Sequence, residues 1–385
     1  NVWLYYVQKK FLKGITYHLL EIKIPKGLAK TPKSMENFFS TLYAIKISPP
    51  KFKEKYFQGK MQLCLSFEIV GTSAGIAFYV RTPSDYRNLV ESQIYAQYPE
   101  AELVETDDYT HFLPALLPNK DYDLWGTEFV LVKPSPYPIK TYPYFEEAKE
   151  EKRLDSLASL VEAMSKLKED ERVWLQILIK PADDRWKKEG DQIVDEMLGK
   201  KPPKKEDPFY FVWQFLRNLI KAPIEPPTWE EAPKESGDQG LRMLTLSPGE
   251  KEIIEAIQKK IAKLGFETTI RFLYIDRRSS FSRLNIASIM GSFQQFNTQN
   301  LNAFRPSKSA TTKGGGLFKK QEEFLKKILL YQKYKTRAFS PENQTILNTE
   351  ELATIFHFPI VSVEAPGLRR LEAKKGEPPV NLPTA

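Results

Sequence analysis

The sequence predicts an α+β protein made of two ferredoxin-like (split βαβ) units, the second with a long insertion, followed by C-terminal helices and a linker. Three observations carry this. Apolar runs of strand period alternate with segments of helical period in the order β-α-β-β-α-β, and a less regular version of that order follows. A tight Gly71-Thr72-Ser73-Ala74 turn joins two apolar runs as a hairpin. A stretch with four prolines and many acids, Ala222 to Gln239, interrupts the second repeat and reads as a loop or partly disordered. The expected boundaries are a stub at 1–14, a first α+β domain at 15–122, a second at 123–304 with its insertion at about 184–246, a C-terminal helical region at 305–371 and a proline-rich linker at 372–385. With 41% hydrophobic residues, 385 residues are ample for folded cores.

In the first unit, Tyr17 to Ile24 alternates as a strand, and Ser34 to Ile45 opens with a serine cap as a helix. Met61 to Val70 and Gly75 to Arg81 are the hairpin strands. Thr82-Pro83-Ser84 starts a second helix with Leu89, Val90, Ile94 and Tyr98 on one face, and Ala101 to Thr106 closes the unit. In the second unit, Thr127 to Lys133 is a strand. Glu146 to Lys168 is a helix with Leu154, Leu157, Leu160, Val161 and Met164 at helical spacing. Val173 to Lys180 is apolar almost throughout, which predicts a strand buried on both faces. The insertion holds helices at Asp184–Leu198 and Phe209–Ile220 between joints such as Lys200-Lys201-Pro202-Pro203. Ser247-Pro248-Gly249-Glu250 then starts another helix, stopped by Gly265. Phe266 to Ile275 is a strand. Phe281 to Phe296 is a helix with Phe281, Leu284, Ile289, Phe293 and Phe296 on its core side.

Leu317 to Lys335 reads as a basic amphipathic helix whose leucines and phenylalanines face the core while its lysines face water, with Glu322–Lys326 and Glu323–Lys327 at i,i+4 spacing. Leu347 to Pro359 contains a helix start written in full. Asn348 or Thr349 is the cap, Glu350 and Glu351 occupy the first turn, and Pro359 turns the chain out. Ile360 to Glu364 follows as a short strand, and Gly376 to Pro383 is too proline-rich for a helix or central strand.

Charge is unevenly placed. Residues 1–60 hold twelve lysines and three acids, residues 61–304 hold 31 basic and 38 acidic side chains, and residues 305–375 hold 14 basic and seven acidic. A basic first segment suits anionic lipid head groups, and a basic last segment suits nucleic acid. The aromatic run Val2 to Val7, followed by Lys9, Lys10 and Lys13, reads either as the last turn of a membrane helix or as an amphipathic helix packed on its own domain. The single cysteine, Cys64, excludes an internal disulfide framework and reads as a small core residue. The chain reads as a piece of something longer.

No active site emerges. The only glycine-rich loop, Thr312-Lys313-Gly314-Gly315-Gly316, has its lysine before the glycines and Leu317 after them, so the phosphate-loop spacing fails. Lys313, Lys319, Lys320, Lys326 and Lys327 remain the candidate nucleic-acid or phosphate contacts. Asp107, Asp108 and His111 share a loop without a second His or Cys nearby, which favours turn chemistry over a metal site. His18 and His357 read as packed or capping residues. No catalytic residue, metal or cofactor is expected.

Leu347 to Pro359 and the tail Glu372 to Pro383 resemble the segment just before the ATPase core in type IV secretion and conjugation coupling proteins. Phe78 to Tyr98, Phe266 to Tyr274 and Gly291 to Leu301 are similar to the same N-terminal region of unknown function in large proteins of candidate-phyla bacteria. The resemblance implies a membrane-proximal accessory and assembly region on the cytoplasmic face of the membrane. Its expected partners are a downstream ATPase domain of the same polypeptide, a membrane reached through a preceding segment, DNA, and copies of itself in a ring. The family's motor motifs do not occur in these residues. The alternative is a free-standing membrane-surface or nucleic-acid-binding protein with no motor.

Overall fold

Ten strands organise the computed structural model, which describes residues 2–25, 30–146, 155–199, 246–359 and 370–371. In the first half lie β1 (Tyr17–Pro25), β2 (Leu65–Thr72), β3 (Gly75–Pro83) and β4 (Glu102–Glu105). The second half holds β5 (Tyr122–Leu131), β6 (Arg172–Pro181), β7 (Gly265–Arg277) and β8 (Phe304–Pro306), and β9 (Thr345–Asn348) and β10 (Arg370–Leu371) come last. Nine strands pair antiparallel, and β10 adds in parallel beside the end of β1. The chain is therefore α+β.

Strand order explains how one sheet serves both halves. The order is β4-β1-β3-β2 in the first half and β8-β5-β7-β6 in the second, the same order in chain terms. The halves meet where β2 pairs β6, from Leu65↔Ile179 to Thr72↔Arg172. A turn at Ser73-Ala74 joins β2 to β3, and Gly75 takes φ +126° there, a backbone angle costly for any side chain. The equivalent link between β6 and β7 instead carries the insertion. By contacts the chain divides into residues 1–183 with 263–385 and a second unit at 184–262.

Eleven helices are described. On one sheet face lie α2 (Pro32–Leu42), α4 (Ser84–Gln97), α6 (Ala158–Ser165), α9 (Arg283–Ser292) and α11 (Thr349–Ile355), packed on Leu20, Phe67, Phe78, Ile177, Ile270 and Phe272. α10 (Lys319–Lys335) covers the other face, where Leu330, Tyr331 and Tyr334 meet Tyr79, Tyr109, Trp174 and Leu273. Strand β6 is buried on both faces, as its apolarity predicts. The remaining helices are α1 (Val2–Lys13), α3 (Phe52–Tyr56) and the short α5 (Pro143–Glu146), with α7 (Arg185–Met197) and α8 (Pro248–Ile261) in the second unit.

Local signals read well at two helix starts, whereas α2 begins at Pro32 behind a Thr31 cap, with the expected cap Ser34 inside its first turn. Asn348 accepts from the Glu351 amide at 2.9 Å while the Glu351 carboxylate accepts from the Asn348 amide at 2.9 Å, a complete capping box on α11. Ser247 and Glu250 form the same box on α8.

Two orientations differ from expectation. In α9 the buried side chains are Ile286, Ile289 and Ser292, and Leu284 is exposed, while Phe293 and Phe296 just beyond the helix are buried as expected. Phe318, which precedes α10, and Phe324, Leu325 and Leu329 within it point to solvent, and Lys327 is buried. The helix carries two apolar stripes. The one through Leu330, Tyr331 and Tyr334 faces inward, where the Tyr331 hydroxyl donates to the Pro114 carbonyl, the Tyr334 hydroxyl bonds the Tyr109 hydroxyl and Lys327 donates to Asp123 on β5. Cys64 is a free thiol, half-buried.

Several expectations lie outside the described residues: the first part of the helix expected at 146–168, with Leu154, the Phe209–Ile220 helix, the 222–239 loop, the 360–364 strand and the C-terminal linker.

Candidate interaction surfaces and the buried polar row

A row of polar side chains crosses the sheet beneath α10. Glu21 stands opposite Tyr79, Tyr79 opposite Glu68, Glu68 opposite Gln176, Gln176 opposite Arg271, and Arg271 opposite Glu128. Opposed residues of paired strands share a face, so six neighbouring strands contribute one side chain each, and all six are buried. The two halves contribute matching positions: Glu21 on β1 with Glu128 on β5, Tyr79 on β3 with Arg271 on β7, Glu68 on β2 with Gln176 on β6.

The row is hydrogen-bonded throughout its charged part. Arg271 donates to Glu128 Oε1 at 2.6 and 2.9 Å, to Gln176 Oε1 at 2.6 Å and to the Ala338 carbonyl at 2.8 Å. Ser340 and Asn343 each donate to Glu128 at 2.7 Å. Glu68 accepts from Ser66 and Tyr109 at 2.6 Å, from Gln176 at 2.9 Å and from Arg337 at 3.0 and 3.1 Å. Arg337, in the left-handed region at φ +50°, also pairs with Asp108. Burial raises the Glu68 carboxyl pKa, but the Arg337 guanidinium and the hydroxyl donors outweigh it and hold the group below its ordinary value. The same balance, burial against Arg337, lowers Asp108.

With no exposed charged atom and every carboxylate oxygen of Glu68 and Glu128 met by a donor, this network suits no ligand. It clamps the end of α10 and the 338–343 loop to the sheet and fixes their register.

The candidate lysines do not converge. Lys327 lies against Asp123 and Glu323, both at 2.9 Å. Lys326 pairs with Glu322 at 2.8 Å and donates to the Lys313 carbonyl at 3.2 Å. Lys313, Lys319 and Lys320 are exposed. In the glycine loop, the Gly315 amide donates to the Glu322 carboxylate at 2.8 Å, so a carboxylate already occupies the place an anion would take.

Asp108 of the Asp107-Asp108-His111 loop is the partner of Arg337 and caps the turn at Thr110, while Asp107 and His111 are exposed. Among the described residues no group of three or more His, Cys, Asp or Glu side chains is arranged to hold a metal ion. His357 is buried, with Nδ1 2.8 Å from the Ala353 carbonyl and Nε2 3.0 Å from Asp155, and it closes the end of α11.

One arrangement escaped sequence reading. His18 lies 2.6 Å from Glu105 through Nδ1 and 3.0 Å from Ser84 Oγ through Nε2, the spacing of a nucleophile, a base and an orienting carboxylate. The surroundings argue for a structural tie. Ser84 Oγ is also 3.2 Å from the Thr16 carbonyl, Arg87 Nη1 stands 3.2 Å from the same Nδ1, and Arg87 binds Glu105 at 2.6 Å. The cluster is open to water and joins β1, β4 and the start of α4. A cleft of about 310 Å³ beside α6 and α9 has Glu171 in its wall, and that carboxylate already accepts from Tyr274 at 2.9 Å and the Lys168 amide at 2.7 Å.

A different surface lies on α1 and α3. Trp3, Tyr5 and Tyr6 of α1, with Phe52 and Phe57 on and beside α3, are all exposed, and Lys9, Lys10, Lys13, Lys51 and Lys53 stand among them. No helix among the described residues is long and apolar enough to cross a membrane.

Among curated proteins none matches the chain. One family model covers residues 10–369, nearly the whole sequence, and leaves Trp3, Tyr5, Tyr6 and Lys9 of α1 outside the match. The chain belongs to the family described as Domain of unknown function (DUF8128).

Proposed function

We propose that the chain is a non-catalytic, membrane-proximal accessory and assembly region of a type IV secretion coupling-type, DNA-translocating ATPase. The observation that carries the membrane part is the exposed aromatic and lysine side of α1 and α3. Assignment to a coupling-type motor rests on the resemblance of Leu347–Pro359 and the tail to the segment that precedes such motors.

Two ferredoxin-like units sharing one sheet form the body in this reading. The repeated strand order, β4-β1-β3-β2 and β8-β5-β7-β6, supports them. α11 closes the body ahead of the motor, with nearly all its side chains buried. The outer apolar stripe of α10 supports contact with a neighbouring copy in a ring. The protein then works at the cytoplasmic face of the membrane, presenting DNA or protein to the motor.

Sequencing the reading frame past Ala385 tests the motor assignment, and G-x-x-x-x-G-K-[ST] a short distance downstream is the expected result. A stop codon directly after Ala385 refutes it and leaves a free-standing membrane-surface or nucleic-acid-binding protein.

A further inference from the structure

We infer that α1 and α3 together form a peripheral docking surface for anionic phospholipid head groups, with α3 supplying aromatic rings that enter the bilayer interface. The inference rests on the membrane-proximal reading and deepens it. It adds a second element, residues 51–60, whose sequence carries no membrane signal by length or mean hydropathy.

Four features argue for it. First, the helices are held as one piece. The Trp3 indole donates to the Tyr56 carbonyl at 2.8 Å, Val7 is buried, and Gly59, at φ +72°, packs its backbone against the Val7 carbonyl. A side chain at 59 would put its Cβ 2.3 Å from that oxygen.

Second, the pair exposes rings that a fold normally hides. Phe52 is 72% exposed, Phe57 64% and Trp3 58%. Among the described residues, the ring of Phe52 meets those of its neighbours Tyr56, tilted at 4.6 Å, and Phe57, edge-on at 6.5 Å. Trp and Tyr with a few apolar groups are the side chains that settle at the head-group level.

Third, charge matches an anionic surface. Lys9, Lys10, Lys13, Lys51, Lys53 and Lys55 stand on or at the ends of the two helices, against the one carboxylate Glu54. Glu54 is itself occupied, by Lys60 at 3.3 Å and the Lys51 amide at 2.9 Å. Lys9 lies 5.9 Å from the Tyr5 ring and Lys55 5.5 Å from the Tyr56 ring, so in each helix a cation lies beside a ring.

Fourth, this is the more basic of the two basic segments, since residues 1–60 hold twelve lysines and three acids against 14 basic and seven acidic side chains in residues 305–375. Single-stranded nucleic acid also uses rings and cations, but along a groove that tracks a backbone. Two adjoining helices with outward rings suit a planar interface better.

The test is co-sedimentation of the 385-residue chain with vesicles of phosphatidylcholine, alone or with about 30% phosphatidylserine, at about 0.1 and about 0.5 M salt. Expected is binding to the anionic vesicles that falls at least about tenfold in the high salt. Phe52→Ala/Phe57→Ala weakens it by about tenfold or more, and Lys9→Glu/Lys10→Glu/Lys13→Glu abolishes it, with unchanged circular dichroism, because all five side chains are at the surface.

Equal binding to neutral vesicles overturns the electrostatic part, and no vesicle binding overturns the whole. Binding to single-stranded DNA through the same residues without vesicle binding replaces lipid by nucleic acid. Fractionation of the natural full-length protein separates the two ideas. If it stays with membranes while the 385-residue chain ignores vesicles, α1–α3 docking fails and the membrane-proximal reading stands.

Discussion

Replacing Arg271 by methionine is the sharpest probe of how this sheet is held. Arg271 is wholly buried and donates to Glu128, Gln176, Ser340 and the carbonyls of Lys333 and Ala338. Methionine approximates its length but leaves the Glu128 carboxylate buried, with only Ser340 and Asn343 donating to it. Breaking a buried pair by removing one partner costs about 3–5 kcal/mol, chiefly because the other charge is stranded. Against a typical total of about 5–15 kcal/mol, that is a large part of the stability.

The control is Arg271→Met/Glu128→Leu, which removes both charges. It recovers much of the loss and retains about 1–3 kcal/mol for the Ser340 and Asn343 groups left without an acceptor. Urea unfolding followed by fluorescence reports directly, because Trp174 is packed between Tyr109 and Tyr334 under α10. A loss below about 1 kcal/mol for the single variant, or a double variant equal to the sum of its parts, refutes the account of the row as a coupled buried network.

Other outcomes follow from the same geometry. Glu68 and Asp108 have folded-state pKa values below their ordinary 4.5 and 3.8, so the stability they confer is present above those values and is lost as pH falls below them. Acid unfolding of Glu68→Gln, monitored by circular dichroism, is therefore expected to show a shallower stability slope below pH 4.5 than the parent, and an unchanged slope contradicts the assignment. Gly126→Ala puts a methyl 2.4 Å from Leu273 Cδ2 and 2.7 Å from both Leu330 Cδ2 and the Phe272 carbonyl, so it costs about 1–3 kcal/mol, and hydrogen exchange rises first in α10. Ser84 is expected to stay unlabelled by a fluorophosphonate probe, and labelling lost in His18→Ala would mark it as a working nucleophile.

Elements legible in the sequence are those whose causes are local. The α11 capping box is two residues reading each other across one turn, and the Ser73-Ala74 turn is short-range. Burial of β6 on both faces is written in its near-continuous apolarity, broken only by Gln176 between Val173 and Ile179. The pairs Glu322–Lys326 and Glu323–Lys327 follow from helical spacing alone. The amphipathic form of α1 was one of two readings its composition allows. The His18–Ser84–Glu105 cluster was not legible, since it joins residues up to 87 apart through β1 and β4 pairing. α3 spans five residues, too few for helical periodicity to show in the sequence.

The sequence by itself determined the α+β class, the main strands, the caps of α8 and α11 and the basic character of the first sixty residues, because each depends on neighbours within a turn or a strand. Only the tertiary structure decided which stripe of α10 faces inward, that the halves share one sheet through β2 and β6, and that Glu68, Gln176, Arg271 and Glu128 stand in one row. The physical reason is register. A single-residue slip in any of those strands sends its polar side chain to the opposite face, and nothing within one strand records which residue its partner opposes.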